Sequence, residues 1–100
     1  ILPNMIKGWK KHIKMTLNII ILTGSVRFVI LDNSLSTNSN FVDFELSEKK
    51  KQILTIRPNT WFAFQGIGNK LSTLTNIANI THEDSEVINK SLNEFEYDWN

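Results

Sequence analysis

The sequence predicts an all-β domain, built as a sandwich or a barrel. Isoleucine and asparagine are abundant, and β-branched Ile favours strands whereas Asn favours turns. Short apolar segments recur along the chain with polar turns between them, a pattern typical of sandwiches and barrels. The chain has 100 residues, enough for one core, so we interpret residues 1–100 as a single domain.

Composition excludes several classes of protein. Hydrophobic residues make up 41% and charged residues 21% of the chain, which indicates a folded domain. The chain contains no cysteine, which excludes disulfides, thiolate metal sites and cysteine nucleophiles within it. A formal net charge of +1 provides no general attraction for nucleic acid. Apolar runs such as residues 19–22 are too short to cross a bilayer, and no secretory signal is visible, so we expect no membrane association.

Two strands are predicted on either side of Gly24. Residues 15–22 are mostly apolar and β-branched, and residues 26–31 are similarly apolar. Because a short Thr-Gly-Ser turn separates them, we interpret the pair as a β-hairpin. A loop rich in Ser and Asn follows.

The next strand is predicted at residues 41–46, where apolar and acidic side chains alternate. Strand geometry places alternate residues on one face. We therefore expect the inward-facing side chains to be Val42, Phe44 and Leu46.

The second half of the chain has three more predicted elements. Residues 52–57 predict a strand that Pro58 ends, and residues 61–64 form the most aromatic segment. We assign at least one face of that aromatic segment to the core, the alternative being a stacking wall for a ligand. Residues 71–80 fit both strand and helix periodicity, and their Thr and Asn content favours a strand. A short helix capped by Thr81 is predicted to follow.

The densest group of polar functional residues lies at residues 7–14. If this segment is a strand, Lys10, His12 and Lys14 share one face. Facing inward, they would place cations beside an imidazole, which suits a diphosphate or a developing enolate. The alternative is a solvated basic edge strand, which residue types alone favour. His82 precedes an acidic stretch, but adjacent residues seldom converge on one metal ion, so we interpret that stretch as a solvated loop or the start of a helix.

A series of segments resembles the cupin family of dTDP-4-dehydrorhamnose 3,5-epimerases and related sugar 3,4-ketoisomerases. The segments are residues 6–12 (IKGWKKH), the turn around Gly24, residues 57–66 and residues 95–99 (FEYDW). The resemblance implies a jelly-roll β-barrel and a homodimer in the cytoplasm. It also implies a nucleotide-linked 4-keto-6-deoxy sugar as substrate, in the synthesis of surface polysaccharides. Family members carry further N-terminal strands, which we expect this chain to lack.

The resemblance assigns roles to individual residues. The family's Arg-Gly-aliphatic-His stretch matches residues 7–10, so a lysine, Lys10, stands at the position of the catalytic base. His12 matches the second histidine of the ketoisomerases' Gly-x-His-x-His pattern, so we predict His12 as the general base with Lys10 beside it. Contacts with the substrate are predicted for Lys7, Trp9, Phe62, Gln65, Asn76 and Asn79.

Departures from the family pattern leave the activity open. The position of the family's second conserved histidine is occupied by Phe62. The position of the tyrosine that acts as the family's general acid falls near Ile80 or Thr81. At most one of the cupin metal ligands remains, which predicts a site without metal or other cofactor. Three readings follow: an isomerase or epimerase, a non-catalytic sugar-nucleotide-binding or assembly module, and a structural barrel in which Lys10 and His12 are plain surface residues.

Overall fold

The strands account for most of the chain. A computed structural model describes residues 1–32, 40–77 and 86–99, and no helix in these ranges has the length and apolar character needed to span a membrane. The all-β prediction is confirmed. The elements in the described ranges are β1 (Ile6–His12), β2 (Leu17–Thr23), β3 (Ser25–Asp32), β4 (Asn40–Ser47), β5 (Leu54–Ile56), β6 (Phe62–Ile67), β7 (Thr73–Asn76), β8 (Val87–Asn89) and a 3₁₀ turn (Leu92–Glu94).

Two antiparallel sheets face each other. The large sheet has the order β4-β3-β6-β1-β8, and the small sheet has the order β5-β2-β7. Apolar side chains from both sheets fill the space between them, where burial from water stabilises the pair. The sheets do not close into the barrel that the resemblance implied. The buried residues of this inner core are Met15, Leu17, Ile19, Ile21, Val26, Phe28, Leu46, Leu54, Ile56 and Phe62.

The predicted hairpin across Gly24 is wrong. β2 pairs with β5 and β7, whereas β3 pairs with β4 and β6, so the chain changes sheets at Gly24. Gly24 has φ 81°, and a Cβ there would lie 2.8 Å from the Cα of Ser72. The Ser72 hydroxyl accepts a hydrogen bond from the Ser25 N–H and donates one to the Ser25 carbonyl, both at 2.9 Å. The turn is therefore a corner between two sheets, built around a buried serine.

The three β4 residues predicted to face inward do share one face, but only Leu46 is buried, and Val42, opposite Ile30, is 38% exposed. Phe44 pairs with Phe28 and Leu46 with Val26, and directly opposed residues project to the same side of a sheet. Leu46 is buried, whereas Phe44 remains 41% exposed because β4 is the edge strand of the large sheet. The ambiguous segment after Leu71 is a strand at Thr73–Asn76. The helix predicted after Thr81 lies outside the described residues.

The large sheet is also covered on its outer face, the side away from the small sheet. The buried outer residues are Trp9, Val29, Leu31, Trp61 and Ala63. The C-terminal segment packs over them through Leu92, Phe95, Tyr97 and Trp99. The ring centroids of Trp9 and Phe95 are 5.2 Å apart in an edge-to-face contact. Side chains of β1 therefore enter one of two separate environments, according to the face on which they lie.

Candidate active site

The inner face of β1 carries the basic side chains. Lys7 pairs with Phe64 and Lys10 with Phe62 across β6. Phe62 is part of the inner core and Phe64 packs against it, so Lys7 and Lys10 lie on the inner face. The His12 ring stacks on that of Phe62, with centroids 6.2 Å apart and planes 12° apart. The structure thus brings Lys7, Lys10 and His12 to one side of the strand.

A register shift between Gly8 and Lys10 makes this possible. Lys7 and Lys10 are three residues apart and would face opposite sides of a regular strand. The extra residue at the shift is Trp9, whose side chain is fully buried on the outer face. A Cβ on Gly8 would lie 2.8 Å from the Cα of Ala63, so glycine lets β1 approach β6 closely.

The imidazole of His12 pairs with the buried carboxylate of Glu86. The His12 Nδ1 lies 2.7 Å from Glu86 Oε2, and the two side chains are 11% and 3% exposed. The other carboxylate oxygen, Oε1, accepts the backbone N–H groups of Lys14 at 2.8 Å and Met15 at 2.7 Å. The Glu86 carbonyl accepts the Ile13 N–H at 2.9 Å, so backbone contacts also hold the two segments together. The carboxylate is therefore positioned on both of its oxygens.

Glu86 is held ionised. Burial raises the pKa of its carboxyl. The hydrogen bonds from His12, Met15 and Lys14 outweigh this effect and lower the pKa to about 2, from the usual 4.5. At neutral pH the ionised carboxylate can only accept a hydrogen bond.

Acid should weaken the fold through this pair. Because the pKa of Glu86 is lower in the folded chain than its usual 4.5, the pair stabilises the fold fully above pH 4.5 and loses that contribution as the pH falls towards about 2. We expect the urea-unfolding free energy of the wild type to decrease over this range more steeply than that of Glu86→Gln. The matched control is Glu96→Gln, which removes an exposed carboxyl in the C-terminal segment. Equal pH dependence in wild type and Glu86→Gln would contradict this role.

The remaining predicted contacts divide between the two faces. Asn76 lies opposite Ile19, a core residue, so it faces the space between the sheets, and its Nδ2 is 3.8 Å from Met15 Sδ. Since the Met15 amide binds Glu86, Asn76 lies near the same end of the sandwich as His12. Gln65 pairs with Ile6 and Arg27, and its side chain lies on the outer face. Trp9 is also on the outer face, where it packs in the buried cluster.

The assignment of Trp9 and Gln65 to one site with His12 is therefore corrected. The sheet itself separates them, because successive side chains of a strand project to opposite faces. Phe62 is 5% exposed and stacks on the His12 imidazole from the core, so it supports that ring and is not itself open to a substrate. Asn79 and His82 lie outside the described residues.

Sequence reasoning missed Glu86. It is 74 residues from His12, and it closes an acidic stretch that we interpreted as a solvated loop or the start of a helix. No local pattern in the sequence indicates that pairing. Among the described residues, no three His, Asp or Glu side chains are grouped as a metal site requires, and the expectation of a metal-free site stays a prediction.

The chain is similar to solved structures of sugar-nucleotide enzymes. A dTDP sugar isomerase from Desulfovibrio desulfuricans G20 superposes with a TM-score of 0.89 at 22% identity, covering 99% of this chain and 66% of that one. A TDP-quinovose 3,4-ketoisomerase from Campylobacter jejuni gives 0.72 at 19% identity, with 90% and 64% coverage. A dTDP-4-dehydrorhamnose 3,5-epimerase from Sulfolobus tokodaii gives 0.78 at 16% identity, with 97% and 57% coverage.

These likenesses concern the fold. No family model matches the sequence, and no curated protein matches it significantly. The chain spans 66%, 64% and 57% of the lengths of the three solved structures. The resemblance that the sequence indicated is confirmed at the level of architecture. This chain has the cupin fold shared by dTDP-sugar isomerases, 3,4-ketoisomerases and 3,5-epimerases.

Proposed function

We propose that this domain is a metal-independent isomerase of a dTDP-linked 4-keto-6-deoxy sugar. The observation that carries the proposal is the buried His12–Glu86 pair on the inner face of β1, the face that also carries Lys7 and Lys10. The substrate class is supported by the names of three fold neighbours, an isomerase, a ketoisomerase and an epimerase of dTDP- or TDP-linked sugars. From the family resemblance, the proposal retains a homodimer and a cytoplasmic role in surface-polysaccharide synthesis.

His12 acts as the general base in this proposal. Its imidazole removes the proton from the carbon next to the ketone, and the Glu86 carboxylate stabilises the imidazolium that forms. The Phe62 ring beneath the imidazole limits its rotation and excludes water from one side. A positioned base of this kind contributes about 10²- to 10⁴-fold to a rate.

The lysines stabilise negative charge. Proton removal leaves an enediolate, and the nucleotide adds a diphosphate, so cations nearby lower the energy of both. Lys7 and Lys10 are exposed and stand at the rim of the inner face. Their effect should therefore decrease with ionic strength.

The proton transfers that each reaction requires favour ketoisomerisation over epimerisation for these residues. In a 3,4-ketoisomerisation, one base takes the C3 proton and returns it to C4, while the ketone oxygen gains a proton and the C3 hydroxyl loses one. Epimerisation needs an acid on the opposite face of the sugar. The single tyrosine of the chain, Tyr97, packs on the outer face, where its hydroxyl donates to Asp43 at 3.4 Å. A one-base reaction is therefore the reaction that this set of residues supports best, and epimerisation is the alternative.

The test is incubation of the wild-type domain with dTDP-4-keto-6-deoxyglucose in deuterium oxide, followed by NMR. We expect deuterium at C3 of the recovered substrate and a 3-keto product labelled at C4. Deuterium at C3 or C5 with inverted configuration, and no 3-keto sugar, would show that the reaction is epimerisation and not ketoisomerisation. Saturable binding without deuterium exchange would show that the domain is a sugar-nucleotide-binding module and not an enzyme. Absence of binding would overturn both and leave a structural domain.

A further inference from the structure

The edge of the large sheet that β4 forms has no strand beside it among the described residues. β4 is eight residues long, and it pairs with β3 without a register shift from the Ser25 and Ser47 pair to the Asp32 and Asn40 pair. Edge strands are usually short, bulged or covered, because a long open edge is a template for another strand. Two strands, β3 and β6, separate β4 from β1, so this edge lies apart from the proposed isomerase site.

Hydrogen bonds at the end of β4 show which of its backbone groups point away from β3. The Glu48 N–H donates to the Gly24 carbonyl at 3.1 Å, so the hydrogen-bonded pairs of the ladder are this pair and every second pair beyond it. Glu45 belongs to the alternate set, and its carbonyl instead accepts an exposed hydrogen bond from the Lys50 ammonium at 3.2 Å. The N–H and C=O groups of the odd-numbered residues from Phe41 to Glu45 therefore point to the open edge.

The side chains of β4 present a different chemistry on each face of this edge. On the inner face, Val42 is 38% exposed and Phe44 is 41% exposed. On the outer face, Asp43 and Glu45 are exposed. A strand laid along the edge would bury the apolar pair with apolar side chains of its own, and its other face would lie beside the two carboxylates.

The groups near these carboxylates do not neutralise both. The Arg27 Nη2 lies 3.5 Å from Glu45 Oε1. Among the described residues, the hydrogen-bond partner of the Asp43 carboxylate is the neutral hydroxyl of Tyr97, at 3.4 Å. The outer side of the edge therefore attracts cations.

A second copy of β4 is a poor partner for this edge. Two strands related by a twofold axis run antiparallel, and directly opposed residues then lie on the same face. The two registers that pair most of β4 with itself place Asp43 opposite either Asp43 or Glu45 of the other copy. Like charges directly opposite each other destabilise a sheet. The same carboxylates favour a strand that carries lysine or arginine on its outer face.

We propose that the open edge of β4 binds an extended segment of a partner protein in which apolar and basic side chains alternate. The segment adds a strand to the large sheet, and its backbone forms hydrogen bonds with the outward N–H and C=O groups of β4. Its apolar side chains pack beside Val42 and Phe44, and its basic side chains lie beside Asp43 and Glu45. The backbone provides affinity, and the alternation of apolar and basic side chains provides specificity.

The test is a titration of the ¹⁵N-labelled domain with a short blocked peptide in which lysine and valine alternate, at low salt. We expect saturable shifts along β4 in ¹H–¹⁵N spectra. At saturation, hydrogen exchange of the Asp43 and Glu45 amides should slow by at least about tenfold, because their N–H groups become bonded. The amides of Val42 and Phe44 should change less than about twofold, since they are already bonded to β3.

Charge variants test the outer face. Asp43→Asn combined with Glu45→Gln should weaken peptide binding by at least about threefold, the effect of losing two exposed ion pairs. The matched control is Glu94→Gln, which removes an exposed carboxylate 3.7 Å from Lys90, beyond the opposite edge of the sheet. It should leave the dissociation constant within about 1.5-fold. A peptide with glutamate in place of lysine should bind at least about tenfold more weakly, because it opposes carboxylates with carboxylates.

A proline variant tests the backbone contacts. The Asp43 N–H points away from β3, so Asp43→Pro loses no hydrogen bond of the existing ladder, and proline is tolerated at such edge positions. We expect Asp43→Pro to bind the peptide at least about fivefold more weakly than Asp43→Asn, because it cannot donate to an added strand. This comparison needs a folded Asp43→Pro domain, whereas the amide-exchange pattern is measured on the wild type.

Three results would overturn the proposal. The first is the absence of saturable shifts along β4. The second is equal binding of the glutamate peptide, or an equal loss in Glu94→Gln. The third is slow exchange of the Asp43 and Glu45 amides without peptide that increases with protein concentration, which would assign the edge to a second copy of the chain.

Discussion

Replacement of His12 by asparagine should reduce deuterium exchange into the keto sugar by about 10²- to 10⁴-fold, the usual contribution of a positioned general base. Asparagine keeps an N–H group that can donate to Glu86, whose carboxylate lies 2.7 Å from the imidazole in the wild type. It has no basic nitrogen that could remove a carbon-bound proton. The substitution therefore removes the chemistry while retaining a partner for the buried carboxylate. The measurement is the initial rate of deuterium incorporation by NMR.

The matched control for this substitution is Lys11→Gln. Lys11 is the residue before His12 on β1, but it lies on the outer face, where its Nζ is 5.0 Å from the centroid of the Trp61 ring. We expect exchange by Lys11→Gln within about twofold of wild type, since surface cation contacts contribute little. Exchange in a folded His12→Asn domain at the wild-type rate would exclude His12 as the base.

Truncation of Trp9 to alanine should lower the free energy of unfolding by about 3–5 kcal/mol, as for other buried tryptophans. Trp9 is 0% exposed, and its ring lies within 5.8 Å of Phe41, 5.2 Å of Phe95 and 6.0 Å of Trp99, measured between centroids. Its indole N–H also donates to the Leu92 carbonyl at 3.4 Å. Alanine would leave a cavity in the aromatic layer between the C-terminal segment and the outer face.

Urea denaturation provides the measurement. Leu22→Ala is the control, because Leu22 is 55% exposed and its truncation should cost about 0.5 kcal/mol or less. Trp9→Phe should lie between the two, since it retains part of the aromatic packing. A loss below about 1 kcal/mol in Trp9→Ala would show that the outer layer does not stabilise the domain.

Local alternation predicted part of the candidate site. Lys10 and His12 are two residues apart, and the structure places both on the inner face of β1. The side chains of a strand alternate with a period of two, so this relation needs no knowledge of the rest of the chain. The position of Lys7 on the same face could not be predicted in this way, because it depends on the register shift around Trp9. That shift arises from pairing with β6, more than 50 residues later in the sequence.

The Gly24 turn shows the same limit. A tight turn that contains glycine is needed both for a hairpin and for a corner between two sheets. What distinguishes the two is the partner of each flanking strand. Here Ser72 binds the backbone of Ser25 across 47 residues of sequence and occupies the space beside the turn. The residues around Gly24 do not by themselves indicate that contact.

The amino-acid sequence by itself determined the all-β class, the strand in which aromatic residues supply the core, and the basic face that carries His12. These features follow from side-chain chemistry and from a period of two residues, both of which are local. Only the tertiary structure decided that Glu86 meets His12 and that Trp9 and Gln65 lie on the other side of the sheet. The reason is physical: register and the return path of the chain decide which distant groups share a buried space, and the hydrogen bonds formed there keep the Glu86 carboxylate ionised beside His12.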